Sequence, residues 1–411
     1  MGRHSFFRAI VALSVIALVS SQSLASDWGQ WRGPNRDGHV SAESWPDSLE
    51  SLQPTWSKTF GPSYSGPVVV GDHVFTTETK DKKYEVTYAL NRKDGKQSWS
   101  KQWEGAMSVP FFAWSNGSWI RSTPTLDDGK IYVAGMRDLL VCMDAASGEE
   151  VWRLDFVKQF STPLPAFGLV CSPLIVGDDL YVQAGAAVVK LNKKTGEVQW
   201  RGMSDEGGMY GSAFSSPVFA SIGGVNQLVV QTRTTLAGLD PANGKTLWSE
   251  DIPAFRGMNI LTPTVIDNKV FTSSYGGKTF MFEVNNKDSK WSVQEKWTNK
   301  TQGYMSSPIV IDGHIYMHLK NQRFTCIDWE TGAEKWTTTP FGKYWSMVTN
   351  GKKILALDEK GELLLIKANP ERFELLDRKE VSDSSSWAHV GISDGQVFVR
   401  SLNSLSTYSW K

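Results

Sequence analysis

CSPLIVGDDLYVQAGAAVVKLNKKTGEVQW, residues 171–200, holds one complete unit of the fold. It opens with a small residue, a proline, three mostly apolar residues and a Gly-Asp turn, then continues into apolar and aromatic residues. Such a run describes strand, tight turn, strand. It closes on a polar Asn-x-x-Thr-Gly run, with Trp200 four residues after Gly196. That run reads as a hairpin loop in which glycine supplies a positive φ. Trp200 then falls on the strand that follows.

Both halves recur along the chain. The first returns as SGPVVVGDHVF (65–75), STPTLDDGKIY (122–132), LTPTVIDNKVF (261–271) and SSPIVIDGHIY (306–316), and as SSPVF (215–219) with an inserted loop. The Asn350-Gly351 and Asp394-Gly395 turns add two degenerate copies, in which Ser346 and Val390 stand where proline stood. The second half returns as LNRKDGKQSW (90–99), MDAASGEEVW (143–152), LDPANGKTLW (239–248) and IDWETGAEKW (327–336). Weakened copies end at Trp297 and around 369–376. The register positions are 67, 124, 173, 217, 263, 308, 346 and 390, an interval of about 46 residues. Each period holds about four short strands and no amphipathic helix. The expected fold is all-β, an eight-bladed β-propeller of four-stranded blades; strict periodicity argues against a pair of β-sandwiches. A blade cannot bury both faces alone, so neighbours must pack. A flat ring at a fixed site in each blade would fill that seam, which accounts for much of the chain's 18 Trp.

Closure is also readable. The last unit ends LSTYSWK (405–411) without an outer strand, while QPTWSKTF (53–60) is an orphan tryptophan strand like VWRLDF (151–156). The N-terminal strand is therefore expected to complete the eighth blade and close the ring, which removes two exposed edges. Residues 26–52, with Trp28, Trp31 and the turn-rich 32–38 stretch, are expected to run over the ring as a strap. The division is thus 1–25 export signal, 26–60 strap and closing strand, 61–411 propeller.

Composition narrows the function. Among 411 residues, 43 Lys and Arg balance 43 Asp and Glu, so there is no basic excess for nucleic acid. Arg3, His4 and Arg8 precede an apolar run over 9–19 and a small-x-small site at Ser23-Leu24-Ala25. This reads as a cleaved secretory signal, since so short a run cannot span about 30 Å of hydrocarbon. No later segment is apolar enough to cross a membrane, and no cysteine precedes Cys142. The expectation is an exported, periplasmic or secreted soluble monomer, not a lipoprotein. Three cysteines make no disulfide framework. Cys142 and Cys326 share one repeat position in blades two and six, on opposite sides of the ring, beyond the roughly 7 Å a disulfide spans. With Cys171 they read as small buried hydrophobes. His73 and His314 follow turns, His318 lies on a strand and His39 on the strap, while His389 replaces the Ser/Thr before a register position. No paired metal-ligand spacing, nucleophile elbow, P-loop or dinucleotide fingerprint is present.

The Asp-x-x-Thr-Gly-x-x-x-Trp element, clearest in 327–336 and 191–200, resembles the tryptophan-docking repeat of PQQ-like propellers. The opening Asp27-Trp28-x-x-Trp31-Arg-Gly-Pro-x-Arg-x-Gly38 is similar to an exported bacterial subgroup of them. That superfamily implies either a quinoprotein alcohol dehydrogenase or a non-enzymatic propeller of the outer-membrane β-barrel assembly machine. The dehydrogenases carry adjacent cysteines, a calcium held by Glu, Asn and Asp, and an Asp base. Here no two cysteines adjoin, no haem-attachment sequence occurs, and eight lean blades use the whole chain. The resemblance favours a binding or assembly scaffold without a cofactor, with an envelope protein or peptide as partner. The alternatives are a PQQ- and Ca²⁺-dependent oxidoreductase acting on alcohols, and a carbohydrate-binding propeller.

The candidate site is the face crossed by the connections from each tryptophan strand to the next proline strand, because loops on a rigid scaffold carry function. The long connections are 103–121, with Phe111, Phe112, Trp114, Trp119 and Arg121, and 156–170. Shorter ones bring Tyr210, Arg256 with Asn259, Tyr304, Tyr344 with Trp345, and Trp387 with His389; Tyr64 holds the same place in blade one. This aromatic, weakly charged face suits a stacking peptide or a planar or sugar-like ligand. If a quinone were bound, Arg121, Arg256 and Asn259 would be first to meet its carboxylates. Trp114, Trp119, Trp345 and Trp387 fall outside the packing register and are expected on loops.

Overall fold

In a computed structural model, residues 27–40, 44–211 and 214–410 are described; the signal expected at 1–25 lies outside them. The described residues form eight antiparallel four-stranded sheets arranged as blades of one propeller. Blade three shows the pattern: Leu174–Val176, Asp179–Ala184, Ala187–Asn192 and Val198–Gly202 pair in sequence order from the innermost strand outward. The innermost strand is short because proline precedes it and the Gly177-Asp178 turn follows at once. Blade eight takes Gly391–Ser393, Gln396–Arg400 and Ser404–Ser409 from the C-terminus and Gln53–Thr59 from the N-terminus. Gln53 pairs with Ser409 and Thr59 with Ser404, so the N-terminal strand closes the ring. No helix among the described residues is long and apolar enough to cross a membrane.

The outer seams explain the Trp–Gly spacing. The indole N–H of Trp56, Trp99, Trp152, Trp200 and Trp297 donates to the backbone carbonyl of Arg92, Ala145, Lys193, Pro241 and Trp329, each in the next blade, at 2.8–3.0 Å. Three residues past each carbonyl stands the loop glycine: Gly95, Gly148, Gly196, Gly244 or Gly332. It has φ of +70 to +74°, and a Cβ there would lie 2.4–2.7 Å from the indole. The glycine thus serves its own turn and seats the neighbouring ring. Two seams differ. Blade five's outer hairpin, Thr279–Lys287 to Lys290–Asn299, offers no such glycine, and Trp248 turns to Gln227 Oε1 within its own blade at 2.6 Å. Blade seven's outer strand, Leu375–Glu380, has no tryptophan. Trp45, Leu49 and Leu52 are buried in that seam instead, anchored by Asp377 on the Ser48 hydroxyl and the Leu49 N–H.

The strap departs from expectation: over residues 27–40 it enters the central channel instead of lying over the ring. Trp28 bridges Val69, the Leu126 N–H donates to Gly29, and Thr349 and Val40 pair on the far side. Arg32 and Arg36 are buried in the channel. Arg36 donates to the Pro173 and Ser172 carbonyls at 2.8 and 3.0 Å, and Arg32 to the Pro308 carbonyl. Buried charge is costly, and desolvation lowers both guanidinium pKa values to about 10, which leaves them protonated at neutral pH. The three cysteines are buried and unpaired.

Candidate functional site

The inner ends of the blades are joined by hydroxyls. The backbone N–H of Gly66 donates to Thr123 Oγ1, that of Thr123 to Ser172 Oγ, that of Ser172 to Ser216 Oγ and that of Ser216 to Thr262 Oγ1, at 3.0–3.1 Å. Trp345 and Val390 donate likewise to Ser306 and Ser346 Oγ. Where Thr123, Ser172, Ser216 and Thr262 precede a proline, the proline holds them extended, so that N–H and side chain point around the ring. The choice of Ser or Thr before proline is this belt, a signal visible in the sequence but read there only as a small residue.

The belt walls a cavity of about 140 Å³. Its mouth is aromatic: Tyr64 stacks on Trp387 at 4.5 Å, Tyr344 meets Trp387 edge-on at 4.1 Å, and the Arg121 guanidinium lies 5.2 Å over Tyr64. Its floor is Trp31, edge-on to His389 and flanked by Arg32 and Arg36 at 5.5 and 5.3 Å. Burial, with Arg32 adding to it, pushes His389 down to about 3, so its ring is neutral. Burial pushes Tyr64 up to about 12 and lowers Arg121. Among the described residues no Asp or Glu lines the cavity.

Of the expected site residues, Tyr64, Arg121, Tyr344, Trp345, Trp387 and His389 share this cavity. Tyr304 continues the aromatic row, 5.8 Å from Tyr344. Trp119 lies over Gly117, half-buried beneath its own loop. Trp114 and Tyr210 stand on a separate outer crest. There the short 3₁₀ helix Phe111–Asn116 exposes Phe111 (76%) and Trp114 (66%), while Tyr210, Met209 and Phe255 emerge from the next connections. Val109, Ala113 and Met136 root the helix, and the Trp114 N–H is held by the Val109 carbonyl at 3.0 Å, which leaves the ring face open.

Three expectations need correction. Asn259 is buried, its amide N–H groups spent on the Arg233 and Ile252 carbonyls at 3.0 Å. Arg256 is exposed on the crest over Phe255, away from the cavity. Trp345 is no loop residue: it opens the strand Trp345–Thr349, is 4% exposed, donates to Asp358 Oδ2 at 2.8 Å and stacks on His318 at 4.9 Å. Sequence reasoning also missed Trp31 as the cavity floor and took Trp103, which lies in the strand Gln97–Glu104, for the start of a loop.

With this geometry in hand, similarity to known proteins can be weighed. A family profile described as outer membrane protein assembly factor BamB matches residues 82–338. The chain belongs to this family. A BamB protein of Moranella endobia is 24% identical over 258 residues, 60% of this chain and 64% of that protein; the chain thus spans less than two thirds of that curated relative's length. The crystal structure of BamB from Moraxella catarrhalis superposes with a TM-score of 0.61 over 88% of this chain and 98% of that one, at 14% identity. A quinohemoprotein alcohol dehydrogenase from Pseudomonas putida reaches 0.55 over 94% and 80%, at 12% identity. At such identities the two structures speak for the shared propeller alone, and the BamB family assignment rests on the sequence match.

Proposed function

We propose that the chain is an exported envelope scaffold that binds a protein partner of outer-membrane assembly through its aromatic crest, as a single ring. The crest carries this reading: Phe111, Phe112, Trp114, Tyr210 and Phe255 are at least half exposed on a rigid propeller whose other large rings are mostly packed. Aromatic residues, Met and Arg are the residues enriched at protein interfaces, and Met209 and Arg256 stand among them. Attachment to the membrane is through the partner. The test is a photo-reactive residue at position 114 in living cells, with position 352 on the opposite side as control. One discrete adduct with an outer-membrane assembly protein from 114 alone supports the reading; equal labelling from both positions overturns it.

The quinone-dependent alternative fits these residues poorly. A hard cation takes oxygen ligands, carboxylates above all, and no carboxylate among the described residues lines the cavity. Of the three residues expected to meet the carboxylates of PQQ, only Arg121 reaches it. Adding PQQ with Ca²⁺ should leave the thermal midpoint unchanged; a rise would restore the enzyme reading. A sugar bound at the crest would instead show as a midpoint rise with oligosaccharide that Trp114→Ala removes.

A further inference from the structure

We infer that the central cavity is a binding site for a compact oxyanion, of the size of phosphate, sulfate or a small dicarboxylate. One cation lines it, and two more stand behind its floor, outside the lining. Arg121 lies in its wall, and the Arg32 and Arg36 guanidinium groups lie against its floor residue Trp31. Their acceptors are backbone carbonyls and, for Arg36, the neutral Gln30 side chain. The Nε groups of all three are buried without a partner. Among the described residues no Asp or Glu lines the cavity; Glu359 acts on Tyr64 and Tyr344 at the mouth, and Asp37 acts on Arg32 from the strap. The Arg121 charge, held in a low-dielectric enclosure with no Asp or Glu among the described lining residues, favours an anion.

The walls supply the matching donors. The hydroxyls of Thr123, Ser172, Thr262, Ser306 and Ser346 each accept a backbone N–H from the neighbouring blade. None of the five donates to a described residue, so their O–H groups are free to turn inward. A hydroxyl fixed by an incoming N–H is a positioned donor, and five of them around one axis suit an anion with several equivalent oxygens. The cavity volume of about 140 Å³ admits such an ion with its water and no large cofactor. The aromatic lid of Tyr64, Tyr344 and Trp387 narrows access from solvent. The site is independent of the crest, and its test does not involve the partner.

The test uses the purified chain and the probes sulfate, phosphate and malonate, each against sodium chloride at equal ionic strength. The expected result is a saturable rise of the thermal midpoint with at least one probe and not with chloride. The rise should be lost in Arg121→Gln and kept, weakened, in Arg121→Lys. Should Arg121→Gln fail to fold, crystals of the unaltered chain grown with selenate decide the matter by an anomalous peak between Arg121 and the hydroxyl belt. A midpoint that follows ionic strength alone, a rise undiminished in Arg121→Gln, or selenate found only on the outer surface would overturn the proposal.

Discussion

The outer rim and the upper crest are built from the same residue type and use it in opposite ways. At the rim, Trp200 has its N–H on the Pro241 carbonyl and its ring on Gly244 of the next blade. At the crest, Trp114 has its N–H on a carbonyl of its own loop, and two thirds of its surface faces solvent. The rim ring is consumed by the fold; the crest ring is presented by it. Tryptophan count therefore reports architecture, and only the residues outside the seam register can report binding.

Five changes would break or sharpen that contrast. Gly244→Val forces a β-branched residue to φ +73° and drives its Cβ into Trp200. It should cost about 4 kcal/mol or more in denaturant unfolding; a cost near zero would mean the rim glycine is not a seat. Trp200→Ala should cost about 3–5 kcal/mol, and Trp345→Ala about as much, because both are buried rings with spent N–H groups. A Trp345→Ala chain of unchanged stability would return Trp345 to the loops. Glu85 sits where rim meets crest, accepting from Trp103 Nε1 at 3.0 Å and the Met136 N–H at 2.7 Å. Burial raises it to about 7, above its unfolded value, so the fold favours the protonated acid. Its contribution is full below about pH 4.5 and is lost as pH rises through about 7, on the order of 3 kcal/mol. Midpoints of the unaltered chain should fall across that window, and Glu85→Gln should flatten the fall; identical profiles would place the charge elsewhere. Trp114→Ala should change stability by no more than about 0.5 kcal/mol, as an exposed substitution does.

The blades were legible because their signals are local. A Gly-Asp turn, a proline register and a glycine four residues before tryptophan recur within one chain, and each is dictated by backbone conformation. The closing strand was legible because Trp56 has the same context as Trp152. The centre was not, because its contacts are long-range. Arg36 reaches Ser172 across 136 residues, and nothing in 32–38 beyond its turns says that two arginines enter the channel. Asn259 and Arg256 were misplaced for a related reason: a position on the connection face does not say which way a side chain turns, and Arg256 has φ +53°. Trp345 misled because its copy of the proline register is degenerate.

The most direct test pairs Trp114→Ala with Trp200→Ala and reads stability and crosslinking to the envelope partner, the photo-reactive residue being placed at exposed Tyr210 in both. The account predicts that Trp114→Ala keeps its unfolding midpoint and loses most of the adduct, while Trp200→Ala unfolds earlier and, kept cold enough to stay folded, still forms it. An undiminished adduct from the folded Trp114→Ala chain would contradict the assignment of the crest as the partner site.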